Sequence, residues 1–105
     1  MSVRERLPDR RPHQVVKIKH NGFHLTVGVG RYDDGRLGEV FLDTHKGGTA
    51  IDTILKDSAI LLSFALQFGA DPSVIRRALS RTGPIGALLD KIEGAADAGG
   101  GHDYV

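Results

Sequence analysis

The chain has 105 residues, a net charge of +1 and no cysteine. It is long enough for one domain with its own core and too short for two. Without cysteine it has no disulfide, thiolate metal site or thiol catalysis. A hydrophobic fraction of 40% and a charged fraction of 26% are ordinary for a soluble globular protein.

The start of the chain is charged but has no apolar run behind it, so no secretory leader is expected. The longest uncharged apolar run, residues 58–70, is too short to span a bilayer. No membrane association is expected, and the location expected is cytoplasmic. Charge is uneven. Residues 1–20 carry six Arg/Lys against two acids, and residues 90–105 carry four acids against one Lys. A basic arm, 1–12, is therefore expected before a domain at 13–93, with a flexible Gly/Ala/Asp-rich tail at 94–105.

From His13 the pattern alternates. V-V-K-I-K-H, then Asn21-Gly22, then F-H-L-T-V-G-V-G reads as a hairpin with a two-residue turn. That turn pairs Ile18 with Leu25 and Val16 with Val27 on an apolar face. Lys17, Lys19, His24 and Thr26 fall on the wet face, so the sheet is expected to be covered on one side. A turn at Asp33–Arg36 leads to a third strand, L-G-E-V-F-L-D. The fold class expected is α+β: a three-stranded antiparallel meander with one face covered by two or three C-terminal helices.

The first helix is expected over 50–68, with Thr49 as N-cap, Asp52 in the capping-box position and Gly69 as a left-handed stop. Asp71-Pro72 starts a second helix, expected to end near Arg81. Gly83-Pro84 precedes a third at 85–92. On helix 1, at about 100° per residue, Asp52, Lys56, Ser63 and Gln67 form a narrow polar strip. Apolar residues spread over roughly 240° of the rest, well beyond the ordinary stripe. Such a helix needs cover on more than one side, and a homodimer through helix 1 is expected. Asp57 falls toward the apolar arc, where a partly buried carboxylate needs a partner.

Several candidate sites compete with plainer readings. His20 and His24 sit on opposite faces of the hairpin, and no helical H-x-x-x-H exists, so no metal site is expected. G-V-G-R-Y-D-D-G leads into a hairpin and not a helix, which defeats a dinucleotide fingerprint. Ser58 and Ser63 lie inside a helix, without nucleophile-elbow context. The loop H-K-G-G-T, residues 45–49, has glycines, a cation and a helix start. Lys46, Gly47, Gly48 and Thr49, with Arg77, are the candidate anion or phosphate contacts. Against this stands a simple glycine-rich connector. Arg4, Arg6, Arg10, Arg11, Arg76, Arg77 and Arg81 are the candidate nucleic-acid contacts, with Ser73, Arg77 and Arg81 one turn apart on helix 2. Against this stand cations placed favourably at a helix C-terminus. The phenylalanines are assigned to the core, which leaves few rings for base stacking. An enzymatic reading needs His45, Asp57 and Glu39 brought together. No catalytic residue and no cofactor is expected.

The order of these features resembles the TSCPD domain, found at the C-terminal end of cobalamin-dependent ribonucleotide reductases and in small stand-alone bacterial proteins. The resemblance covers about residues 4–92. It is carried by R-E-R-L-P-D-R-R, D-G-R-L-G-E-V-F-L, H-K-G-G-T, K-D-S-A-I-L-L-S-F-A-L-Q-F-G and R-R-A-L-S-R-T-G-P-I-G-A-L-L-D. The Thr-Ser-Cys-Pro-Asp string that names the family is absent here, and the nearest stretch is Thr82-Gly83-Pro84. A thiol role is therefore not carried over. The resemblance implies an accessory or regulatory module of nucleotide reduction, with a ribonucleotide reductase chain as partner. A nucleic-acid-binding homodimer is the alternative.

Overall fold

The computed structural model describes residues 3–44 and 48–96, with backbone alone for Phe23 and residues 94–96. Three strands, β1 (His13–His20), β2 (Phe23–Arg31) and β3 (Leu37–Thr44), form an antiparallel sheet in the order β1-β2-β3. Three helices follow: α1 (Ala50–Gln67), α2 (Pro72–Ala78) and α3 (Pro84–Ala96).

The first turn works as its sequence dictates. Asn21 and Gly22 take φ of 46° and 83°, the pair of positive values a tight hairpin turn requires. Ile18 then pairs with Leu25 and Val16 with Val27. Between β2 and β3 the register slips at Gly30/Arg31. Val27, Val29, Val40 and Leu42 are buried on the covered face, against Leu55, Ala59, Leu62 and Leu66 of α1 and Leu88, Leu89 and Ile92 of α3. Helix α2 buries no residue of its own, and Ile75 rests on the margin of the core.

Thr49 caps α1 by accepting the Asp52 N–H, and Asp71 caps α2 by accepting the Ser73 N–H. Gly69 takes φ 98° just past α1, the left-handed stop. Only half of the expected capping box forms, because the Asp52 side chain turns to Thr44 and Lys56. Helix α2 stops at Ala78, short of Arg81, because Leu79 is already extended at ψ 163° and packs its side chain on the core. Arg81 is thus off the helix and not one turn beyond Arg77. Helix α3 runs on to Ala96, past the expected end at Ile92.

Residues 4–12 are held against the domain. The Glu5 N–H donates to the Gln67 carbonyl at 2.8 Å, and the Arg31 N–H to the Pro12 carbonyl at 3.0 Å. The Tyr32 hydroxyl donates to the Glu5 carbonyl. Arg36 grips the Glu5 carboxylate with two nitrogens, each at 2.9 Å. Leu7 lies over Gly38, where an added Cβ would come within 2.7 Å of it.

Candidate interaction surface

Strand β3 is at the edge of the sheet, so one side of its backbone lacks a neighbouring strand. Helix α1 supplies the partners through side chains. The Val40 N–H donates to Ser63 Oγ at 2.9 Å, and that hydroxyl lies 3.1 Å from the Val40 carbonyl and 2.9 Å from the Ala59 carbonyl. Gln67 Nε2 donates to the Gly38 carbonyl at 3.0 Å, and Gln67 Oε1 accepts from Arg4 Nε at 2.6 Å. Buried edge groups left unpaired would each cost about 1–3 kcal/mol. Asp52, Ser63 and Gln67 of the polar strip therefore face the protein, Asp52 and Gln67 buried, while Lys56 is exposed.

Asp52 anchors the other end of this seam. Its carboxylate accepts from the Thr44 hydroxyl and lies 3.4 Å from Lys56 Nζ. The Thr44 hydrogen bond, helped by Lys56 and by the Gly48 amide, lowers its pKa against the opposing effect of burial.

Leu55, Leu62 and Leu66 of the apolar arc pack on the core, and the rest of the arc is turned out. About 100° per residue places Ile60, Phe64, Phe68, Leu61, Ile54 and Ile51 in succession around a half-turn of the wheel. All six are exposed, Leu61 at 69% and Ile54 at 62%. Asp57 lies in the same arc and is exposed, which corrects the expectation that it is partly buried. Three of the phenylalanines assigned to the core are also corrected, Phe41 at 54% exposed, Phe64 at 42% and Phe68 at 45%, while the side chain of Phe23 lies outside the described ones. The guanidinium of Arg4 stacks 4.6 Å from the centroid of the Phe64 ring. Ser58 Oγ donates to the Ile54 carbonyl at 2.7 Å and Thr53 Oγ1 to the Thr49 carbonyl at 3.2 Å, so the hydroxyls of this side are satisfied within the helix.

The G-V-G run of β2 has a packing reason. Gly30 pairs with Glu39, and an added Cβ would collide with the Glu39 side chain. The bare glycine lets that carboxylate lie across the strand to Arg11, which reaches it through Nε and, at 3.2 Å, through Nη2.

The candidate anion contacts fall in two places. Gly48, at φ 81°, and Thr49 stand at the start of α1, while Lys46, Gly47 and His45 lie outside the described residues. Arg77 stands in the last turn of α2, beyond the far end of α1. It lines a cleft of about 490 Å³ with Asp71, Ser73, Arg76, Asp90 and Glu93, and that cleft includes neither Gly48 nor Thr49. Of the candidate nucleic-acid contacts, Arg4 is held by Gln67 and Phe64, Arg11 by Glu39, and Arg76 by Asp90. Arg6, Arg10, Arg77 and Arg81 are exposed. Lys19 and His24 are cross-strand partners and His20 pairs with Phe23, so the two histidines do lie on opposite faces. His20 turns to the helical side, with Nε2 2.8 Å from the Thr82 carbonyl. Among the described residues, no group of three or more His, Asp or Glu is placed to hold a metal. No described helix is long and apolar enough to cross a membrane.

The sequence reading missed the capping of β3 by Ser63 and Gln67. A signal for it was available: two hydrogen-bonding residues at i, i+4 in an otherwise apolar stretch, following an edge strand.

A model of the TSCPD domain matches residues 3–102. The chain belongs to the TSCPD domain family. Relatives of this TSCPD chain include the vitamin B12-dependent ribonucleotide reductase of Bradyrhizobium diazoefficiens, 44% identical over 66% of this chain and 6% of the relative. The Agrobacterium fabrum protein of the same name is 39% identical over 63% of this chain and 5% of the relative. That of Rhodopirellula baltica is 39% identical over 75% of this chain and 8% of the relative. The chain thus spans less than a tenth of the length of these reductases. No solved structure matches it.

Proposed function

We propose that this TSCPD chain is a non-catalytic accessory module of cobalamin-dependent ribonucleotide reduction, acting by docking to protein. The observation that carries the reading is the half-turn of exposed apolar side chains on α1, beside an inner side whose polar groups are spent on β3. Apolar patches this large are unusual on monomers and mark interaction surfaces. The family match supplies the context, since the relatives are reductases that hold a segment similar to this chain. Purified full-length chain mixed with the cobalamin-dependent reductase of the same cell is expected to co-elute with it in size exclusion. Separate elution at micromolar concentrations of both would remove the reading.

Two other ligands have specific tests. A phosphate at Lys46, Gly47, Gly48 and Thr49 would compete with the Asp52 carboxylate for the Gly48 amide. Phosphate titration that leaves the Gly47 and Gly48 amide resonances unmoved ends that idea. Nucleic acid would have to displace the partners of Arg4, Arg11 and Arg76 or be gripped through the exposed arginines, Arg6, Arg10 and Arg77 among them. Failure to retain DNA or RNA at low salt ends that one.

A further inference from the structure

We infer that the outer face of α1 is covered by α1 of a second copy of this chain, running antiparallel across a two-fold axis at Leu61. The inference rests on the docking reading above and names the occupant of that face in the free chain, which a reductase would have to displace.

Area is the first argument. Five side chains of roughly 180 Å² each, Ile51, Ile54, Leu61, Phe64 and Phe68, open by 42–69%, present roughly 500 Å² on one copy, against about 800 Å² per partner in a standard interface. The stripe is self-complementary in shape. Ile51, Ile54, Ser58, Leu61, Ala65 and Phe68 recur at the alternating three- and four-residue spacing of a helix-pairing seam. With the axis at Leu61, Ile54 meets Phe68 of the other copy seven residues either side, and the large Phe64 meets the small Ser58. The Ser58 hydroxyl adds no unpaired donor to the seam, because it is already bonded to the Ile54 carbonyl.

Charge selects the direction. Asp57 is the one ionised side chain in the arc. In a parallel, in-register pair the two Asp57 carboxylates would stand side by side. In the antiparallel pair each lies four residues from the axis, which separates them by about 12 Å along it at 1.5 Å per residue. That exceeds the screening length of about 8 Å at physiological salt. Antiparallel packing also sets opposite helix-dipole ends together.

The native chain has no cysteine, which makes a disulfide test clean. Sedimentation equilibrium of the full chain at about 100 µM, a concentration that populates complexes of micromolar Kd, is expected to give twice the 11.3 kDa chain mass. Under mild oxidation Leu61→Cys is expected to give a two-chain band and Ile51→Cys is not, since position 51 lies about 30 Å from its own copy at that rise per residue. Equal cross-linking of both variants would overturn the antiparallel axis. Leu61→Asp, with helical circular dichroism retained, is expected to halve the mass. A single-chain wild type whose reductase binding is lost in Leu61→Asp would overturn the second copy as occupant and leave docking standing. A single-chain wild type whose reductase binding ignores Leu61→Asp would overturn both.

Discussion

At the scale of single residues, a few small polar side chains decide which way α1 faces. Ser63 answers both the N–H and the carbonyl of Val40, so Ser63→Ala leaves a buried donor without its partner. A loss of about 1–3 kcal/mol is expected, read as a lower midpoint in urea. Gly30 is needed for a different reason, the passage of the Glu39 carboxylate to Arg11. Gly30→Ala is expected to cost about 1–3 kcal/mol through overpacking. The further change Glu39→Ala should recover part of that loss, because it removes the atoms the new methyl strikes. Equal stability of the single and double variants would sink this explanation. Asp52 adds a pH signature. Its pKa is lowered in the folded chain, first by the Thr44 hydroxyl, so the stability it confers is present above the unfolded carboxylate value of about 3.9. That stability is lost as the pH falls through the lower folded value. Asp52→Asn should therefore flatten the fall in melting temperature below about pH 4. A wild-type slope in the variant would place the acid sensitivity elsewhere.

At the scale of elements, the sheet was legible and the orientation of α1 was not. Asn21-Gly22 and the alternation around it determine both turn and register, because a two-residue turn leaves no freedom to slip. Thr49, Gly69 and Asp71-Pro72 mark helix ends through backbone requirements that are local in sequence. Which side of α1 faces in is not local. A wheel shows a polar strip, and polarity ordinarily means solvent. Here the strip meets the unpaired edge of β3, and the value of Ser63 and Gln67 depends on that neighbour. The same blindness assigned Phe64 and Phe68 to the core and Asp57 to a partly buried position, when all three are outside. The end of α2 was misjudged because Leu79 gains more from reaching the core than from one more helical turn. The phosphate candidates were legible only as a composition, and chain order separates Gly48 and Thr49 from Arg77 by the length of α1, about 27 Å at 1.5 Å per residue.

At the scale of the molecule, the N-terminal segment is a strap that closes over the end of the β3–α1 seam. Arg4 completes the hydrogen bonding of Gln67, Glu5 is bonded to Gln67, Tyr32 and Arg36, and Leu7 covers Gly38. Deletion of residues 1–7 should lower the melting temperature, by about 4–8 °C for each kcal/mol lost. A melting temperature unchanged by the deletion would show the strap to be dispensable. Strap, edge caps and core all bear on one side of α1, which leaves the other exposed and apolar. Our proposal divides α1 into a side that holds the fold and a side offered to another chain. Sedimentation equilibrium of Leu61→Asp beside Ser63→Ala, without denaturant and at a concentration where the wild type is two chains, tests it most directly. One chain is expected for Leu61→Asp and two for the folded Ser63→Ala. Two chains for both, or a wild type that never exceeds one, would contradict it.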